Sequence, residues 1–289
     1  MQILINGLIS GSTIALLALA FATVYLPTRV FHIALAGVFA LAPYLLWACG
    51  QNGWPWPTGI AAALLGGIGL SFACELFNHA PLDRKRAGPG LHLVSSLGIC
   101  IVIVQVVALT WGNEVKVLRQ GIDSVFTCSG VVVTRSQLLA GSISLIAMLG
   151  FYSWLRFSNL GLQFRALADN PTQLALFGYN TRRLRLFAFA LAGLLAALSS
   201  LLTAFDIGFD PQVGLHALIL AIVAVIIGGR DSFLGSVIAG FFLGILRSQV
   251  VWHLSARWQD AVTFGVLVVF LFFLPNGLLG RKMRLEAQT

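Results

Sequence analysis

Residues 158–180 read SNLGLQFRALADNPTQLALFGYN. This passage is helix-competent but charged, and it is one of the two longest stretches before the C-terminal end that cannot sit in lipid as a simple span. Nearly everything on either side reads as membrane helix. Arg182, Arg183 and Arg185 follow it directly, and basic residues clustered in a short loop mark the cytosolic side of a membrane protein. Within it, Asn170 can cap a helix that begins with Pro171, where the missing N–H costs nothing. Gly178 can close that helix in a left-handed conformation. The expectation is a helix of about two turns on the cytosolic face, with Leu174, Ala175 and Phe177 offering an apolar surface. Arg165 and Asp169, four residues apart, are placed to pair and brace it, an exposed arrangement worth about 0.3–0.5 kcal/mol. The bland alternative is a connecting loop that lies on the membrane.

Composition sets the class. The 289 residues are 58% hydrophobic and 10% charged, whereas soluble domains carry about 25% charged residues. A soluble protein so poor in charge would precipitate, so the fold expected is an all-α polytopic membrane protein forming one transmembrane domain over residues 1–289. Each span needs about 20 apolar residues, which allows about eight to ten of them. The formal net charge is +8, but the basic residues gather in a few short interhelical loops. That is an orientation signal rather than a nucleic-acid footprint. Cys49, Cys74, Cys100 and Cys128 share no metal-ligand spacing; Cys49 and Cys128 both fall on the outer side, where a bridge is conceivable, and small apolar filling is the simpler role. The first apolar run precedes its first basic residue, Arg29, which is the wrong order for a cleaved signal peptide and suits a helix inserted with its N-terminus outside.

Taken in order, spans are expected near residues 3–26, 31–49, 58–77, 91–111, 136–155, 184–205, 216–229, 233–252 and 258–274. The first carries Gly7, Gly11 and Ala15 at four-residue spacing and the eighth carries Ser236, Gly240 and Gly244, rows that let another backbone approach closely. The second is interrupted by Pro43, and the seventh has too few residues to cross comfortably before Gly228 and Gly229, which allow a tight turn. A polar external loop spans about 112–135, with a β-like VVVT that suits a small hairpin, and the cytosolic loop spans about 157–185. Arg29, Arg84, Lys85, Arg86, Arg156 and the tail Arg281, Lys282 and Arg284 then fall inside. Lys116, Arg119, Arg135 and Arg257 are the exceptions. The topology expected is N-terminus out and C-terminus in.

Covalent chemistry finds no footing here. The sequence has no G-x-x-x-x-G-K-[ST], no H-E-x-x-H and no G-x-S-x-G, so neither P-loop ATP hydrolysis nor a metalloprotease or serine hydrolase is expected. His32, His79, His92, His216 and His253 are scattered near helix ends and read as satisfied interfacial histidines. Glu75 is expected to reach water at the inner edge of the third span and Asp206 at the outer edge of the sixth; Gln105 is the main polar residue deep in the fourth. A proton-coupled carrier normally needs carboxylates or histidines near the midplane, and no such relay is expected.

Four passages together resemble a known family: NGLISGSTIALLALAFATVY from residue 6, GLQFRALADNPTQLALFGYNTRRLRLFAFALAG from 161, ALILAIVAVIIGGRDSFLGSVIAGFFLGIL from 217, and LPNGLLGRK from 274. They look like the permease subunits of branched-chain amino-acid type ABC importers. The most specific parts are R-A-x-x-x-[DN]-P…A…G (Arg165, Ala166, Asn170, Pro171, Ala175, Gly178) and GG-x-x-S-x-x-G (Gly228, Gly229, Ser232, Gly235). The resemblance implies two permease subunits around a pore, two cytosolic ATPases that use ATP, a periplasmic solute-binding protein, and no cofactor or metal in this chain. The central stretch would be the coupling helix, with Arg165, Asp169, Asn170, Pro171, Gln173, Ala175, Phe177 and Gly178 carrying it. The chain departs from the family at residues 32–36, where HIALA replaces a pattern such as N-x-A-H-G, and at Arg247, where an acidic residue is common.

Irregular backbone at membrane depth is tolerated only beside protein or a water cavity. The two short segments, 31–48 and 216–229, are therefore expected to be counterparts in an inverted repeat flanking the translocation path. Asn6, Ser10, His32, Pro43, Gly228 and Gly229 would belong to it. The runner-up reading is an ion-coupled carrier or channel acting alone, which would require a buried titratable relay and no docking helix.

Overall fold

In hydrocarbon a segment must satisfy its own backbone, so the apolar runs fold as helices. A computed structural model describes residues 1–119, 124–128, 130–229 and 231–280. In chain order it contains α1 (Gln2–Thr28), α2 (Leu35–Gln51), α3 (Trp56–Cys74), a π-helical turn (Glu75–His79) running into α4 (Ala80–Arg84), and α5 (Pro89–Trp111). Strands β1 (Val125–Cys128) and β2 (Val131–Thr134) follow, then α6 (Arg135–Phe157), α7 (Asn159–Asp169), α8 (Pro171–Leu176), α9 (Thr181–Asp206), α10 (Val213–Gly228) and α11 (Phe233–His253). A 3-10 turn (Ala256–Trp258) leads into α12 (Gln259–Phe273). Among the described residues seven helices are long and apolar enough to cross a membrane, and α2 and α10 are shorter apolar helices. The chain is an all-α polytopic membrane protein. The basic tail at Arg281, Lys282 and Arg284 lies outside the described residues.

Contacts between loops sort the helix ends onto two faces. On one face the hairpin pairs Val125 with Thr134 and Cys128 with Val131. It is pinned to the start of α1 by Gln2, whose side chain donates to Val132 O at 2.8 Å and accepts from Val132 N at 2.7 Å. Lys116 and Phe209 exchange two backbone hydrogen bonds of 2.8 Å on the same face. On the other face Arg29 meets Asp231 at 2.6 Å, and α7 and α8 lie there beside the start of α9.

The small-residue rows read from the sequence meet each other. A Cβ added at Gly7 would stand 2.8 Å from Ile245 Cα, one at Gly11 would stand 3.0 Å from Phe241 Cα, and one at Gly244 would overlap the backbone of Gly11. Helices α1 and α11 therefore touch backbone to backbone, as small-xxx-small rows permit. Gly244→Leu is expected to destabilise the protein by about 1–3 kcal/mol or more, because no rotamer relieves a clash with main chain. Thermal unfolding of the purified chain in detergent would show the loss, and an unchanged midpoint would contradict the close crossing.

Two expectations about the short segments are corrected. Pro43 does not break the second segment, since α2 runs unbroken from Leu35 to Gln51 with Pro43 inside it. A proline leaves the carbonyl four residues earlier without its helical donor. Here that carbonyl is Phe39 O, and Ser200 Oγ of α9 donates to it instead, which is how transmembrane helices tolerate proline. The seventh segment begins earlier than expected, at Val213, and its 16 residues reach only about 24 Å. Its start is wedged against α2, where a Cβ on Gly214 would overlap Ala36 O.

Candidate coupling surface and translocation cavity

The cytosolic-type stretch folds as two short helices with a sharp corner between them. Ser158 Oγ accepts from Gly161 N at 2.9 Å to cap α7, and the tight fit of Gly161 over Leu155, with Leu155 Cα 2.7 Å from an added Cβ, folds α7 back on α6. Phe164 and Leu167 turn inward, fully buried, while Arg165 and Asp169 point outward. Asn170 ends α7 and caps α8, its side-chain oxygen accepting from Thr172 N and Gln173 N at 3.1 Å each. Pro171 is the first helical residue. Gly178 takes φ +82°, the left-handed closure. Asn180 then caps α9 through Arg183 N at 3.1 Å.

The apolar surface of α8 differs from the expectation in one residue. Leu174 is buried in a small core with Leu167 and Leu184, because it lies on the side of α8 that α7 and α9 cover. What faces outward is Ala175 with Leu176 at 83% and Phe177 at 80% exposure. An aromatic and a leucine thus stand together, exposed, on a doubly capped turn. Sequence spacing alone could not say which side of so short a helix the fold would cover.

A cavity of about 630 Å³ opens among the helix ends on the hairpin face. Asn6 and Ser10 of α1 line it together with Ser199, Asp206, His216 and Arg247. Arg247 is held in the wall by Asp260 at 2.8 Å and Gln259 at 3.3 Å, both on the entry to α12. Asp206 on α9 is thus part of the cavity lining. Of the other residues expected on the path, His32, Pro43, Gly228 and Gly229 are not in the lining. Gly229, at φ +109°, instead lets the chain turn against Gly277 and Gly280. Cysteines at positions 6 and 10 are expected to react with a water-soluble thiol reagent and one at position 32 to be protected. Equal labelling at all three would contradict the cavity.

The histidine reading is also corrected. His32, His79 and His92 are scattered in sequence but buried together: His92 Nδ1 lies 3.1 Å from His79 Nδ1, and His79 Nε2 lies 3.3 Å from His32 Nδ1. The π-helical turn supplies the reason, since its wider winding re-aims His79 and Glu75 relative to the α3 face they would otherwise share. Glu75 does not reach water. It is buried and accepts two bonds from Arg185, at 2.8 and 3.2 Å. Arg185 also pairs with Asp83, which meets His92 Nε2 at 3.1 Å. The one signal available from sequence was that all three histidines lie near helix ends on the same face. Among the described residues no group of three or more His, Cys, Asp or Glu side chains could hold a metal ion, the imidazole nitrogens being turned toward one another. Cys49, Cys74 and Cys100 are free thiols.

Residues 3–271 match the family model described as "Branched-chain amino acid transport system / permease component". The chain belongs to that family. Members of this permease family similar to it include the high-affinity branched-chain amino acid transport system permease protein BraD of Pseudomonas aeruginosa. It is 28% identical over 297 residues, covering 97% of this chain and 96% of the relative. LivH of Escherichia coli K12, a permease protein of the same description, is 29% identical over 304 residues with the same coverage. The probable branched-chain amino acid transport permease protein LivH of Methanocaldococcus jannaschii is 21% identical over 309 residues, covering 96% of this chain and 92% of that one. These relatives are transport permeases, not enzymes. Among solved structures, PsaBC from Streptococcus pneumoniae in complex with Fab shares the fold, with a TM-score of 0.52 at 12% identity over 95% of this chain and 92% of that one.

Proposed function

We propose that this permease is the membrane-spanning subunit of an ABC importer that moves branched-chain amino acids or related small amino-acid-like solutes inward, driven by separate ATPase subunits. The observation that carries the reading is the capped α8 turn, which presents Leu176 and Phe177 to water immediately before α9 enters the membrane. Residues Arg165, Asp169, Asn170, Pro171, Gln173, Ala175, Phe177 and Gly178 would shape the surface an ATPase grips. The cavity with Asn6 and Ser10 suits solute arriving from a periplasmic binding protein. Its Arg247 and Asp206 bring opposite charges to a partly apolar lining, which fits a zwitterion with a small side chain.

The exposed face of α5, where Val102 and Leu109 flank Gln105, is available to lipid or to a second permease, identical or homologous. Its lone polar residue favours a protein neighbour. Arg29, Arg84, Lys85, Arg86 and Arg156 at or just past helix C-termini, and Arg182, Arg183 and Arg185 at the start of α9, gather on the α8 face, which supports placing that face in the cytosol of a bacterial inner membrane with the N-terminus outside. The chain itself would need no cofactor, ATP being consumed by its partners.

Purification of the tagged chain from native membranes tests the proposal: a nucleotide-binding ATPase should come with it, and solute uptake in proteoliposomes should require ATP. The buried histidines give one specific point in favour of an ion-coupled carrier acting alone. Uptake by the isolated chain driven by a pH gradient, without ATPase or ATP, would establish that reading and overturn this one.

A further inference from the structure

Proton counting along the buried chain Asp83–His92–His79–His32–Ser71–Phe189 leads to a site that the transport reading does not use. The contacts are Asp83 Oδ1 to His92 Nε2 at 3.1 Å, His92 Nδ1 to His79 Nδ1 at 3.1 Å, His79 Nε2 to His32 Nδ1 at 3.3 Å, His32 Nε2 to Ser71 Oγ at 3.3 Å, and Ser71 Oγ to Phe189 O at 2.7 Å. Each contact holds one proton. An ionised carboxylate only accepts, so His92 Nε2 carries a hydrogen, while a neutral imidazole has one donor and one acceptor.

With three neutral rings, His92 Nδ1 must accept from His79, and His79 Nε2 must accept from His32. His32 Nε2 is then left as an acceptor, and only the Ser71 hydroxyl can serve it. Ser71 has a single hydrogen and in that state releases Phe189 O. One added proton changes this. Four hydrogens on six ring nitrogens satisfy the carboxylate and both inter-ring contacts, and His32 Nε2–H now donates to Ser71. Ser71 is thereby free to donate to Phe189 O, the short contact that the structure shows. The count closes whichever ring is formally the cation, so the added proton belongs to all three.

Burial and Arg185 oppose a charge on the rings, and the carboxylates beside the chain offset them. Buried Glu75 and partly exposed Asp83 face it from the π-turn and α4, against Arg185 from α9, a balance of one net negative charge when all are ionised; exposed Arg182 is the next cation along α9. One proton on the rings neutralises the cluster. Among the contacts on this chain, only Asp83 meets solvent substantially, its side chain being 37% exposed while the His92 side chain is 4% exposed. It lies at the face that carries α7 and α8.

We propose that His32, His79 and His92 form a single proton-binding site, loaded from the α7–α8 face through Asp83, whose occupancy α9 reads as the presence or absence of the Ser71 hydrogen bond to Phe189 O. Binding adds a proton to the imidazole chain and breaks no covalent bond. The hydroxyl of Ser71 turns from His32 Nε2 to the α9 backbone, thirteen residues after Leu176, the end of α8.

Nuclear magnetic resonance on the purified full chain in nanodiscs, with ¹⁵N-histidine and ¹³C-carbonyl phenylalanine labels, tests this without any partner. Its outcome is therefore separate from whether the chain serves an importer. The ring signals of His32, His79 and His92 are expected to move together through one midpoint as pH is lowered, because they share one added proton. The Phe189 carbonyl signal should follow the same midpoint. In His79→Gln the chain is cut, and His32 should cease to titrate with His92. Separate midpoints for the three rings, or rings that stay neutral throughout the pH range in which the chain remains folded, would overturn the site. A shared midpoint that the Phe189 carbonyl ignores would overturn its reading by α9.

Discussion

Replacing Arg185 by alanine is expected to cost about 3–5 kcal/mol of stability, because it removes one partner of a buried ion pair and leaves the other charged and unpaired. Glu75 is the stranded group: its side chain is 1% exposed and its carboxylate holds both of its bonds to Arg185, at 2.8 and 3.2 Å. The same substitution releases Asp83. Arg185→Lys should recover only part of the loss, since an ammonium cannot copy the two-pronged contact. Thermal unfolding in detergent reads the effect. The decisive comparison is the double variant: adding Glu75→Gln to Arg185→Ala should restore much of the stability by removing the orphaned charge. If the double variant is as unstable as the sum of both single changes, the pair is not what holds α9 to the π-turn.

Phe177→Glu is expected to abolish import while leaving the permease folded. At 80% exposure the ring contributes little to the chain's own core, and surface substitutions of that kind stay within about 0.5 kcal/mol. In a complex, an aromatic anchor seated in a pocket is worth about 2 kcal/mol or more, a loss of roughly 30-fold in affinity for the ATPase. The measurement pairs ATP-driven uptake with co-purification of the ATPase. Normal uptake by a variant that inserts normally would show that α8 is not where force enters the permease. Asp169→Ala, by contrast, changes an exposed residue four positions from Arg165 on α7 and should shift stability by no more than about 0.5 kcal/mol.

The class of the fold was legible because hydrocarbon leaves so few options: a chain with 58% hydrophobic residues and punctuated basic loops can only be a helical bundle. The caps at Asn170, Pro171 and Gly178 were legible for a different reason, since capping is decided within a few residues of sequence. The apolar side of α8 was half legible; burial of Leu174 depends on α7 and α9, which sequence spacing does not place. The histidine chain was barely legible, its only signal being three histidines near helix ends on one face. His32, His79 and His92 come from three separate parts of the chain, and a single π-helical turn sets the direction of His79. Pro43 misled for a related reason. Proline ordinarily signals a break, and the hydroxyl that compensates it, Ser200, stands 157 residues away.

The backbone contact between α1 and α11 also restricts how this protein can move. A Cβ at Gly240 would overlap Ala15 and one at Gly244 would overlap Gly11, so the two helices interlock like a key in a notched bar. Sliding one past the other by a full turn would seat small residues against small ones again, but only after each backbone had ridden over the partner's turn in between. Such a pair can tilt as one body but has no smooth axial stroke. Alternating access in this chain would therefore have to pivot about the α1–α11 bar rather than run along it, leaving shorter elements such as α2 and α10 to change their angle to it.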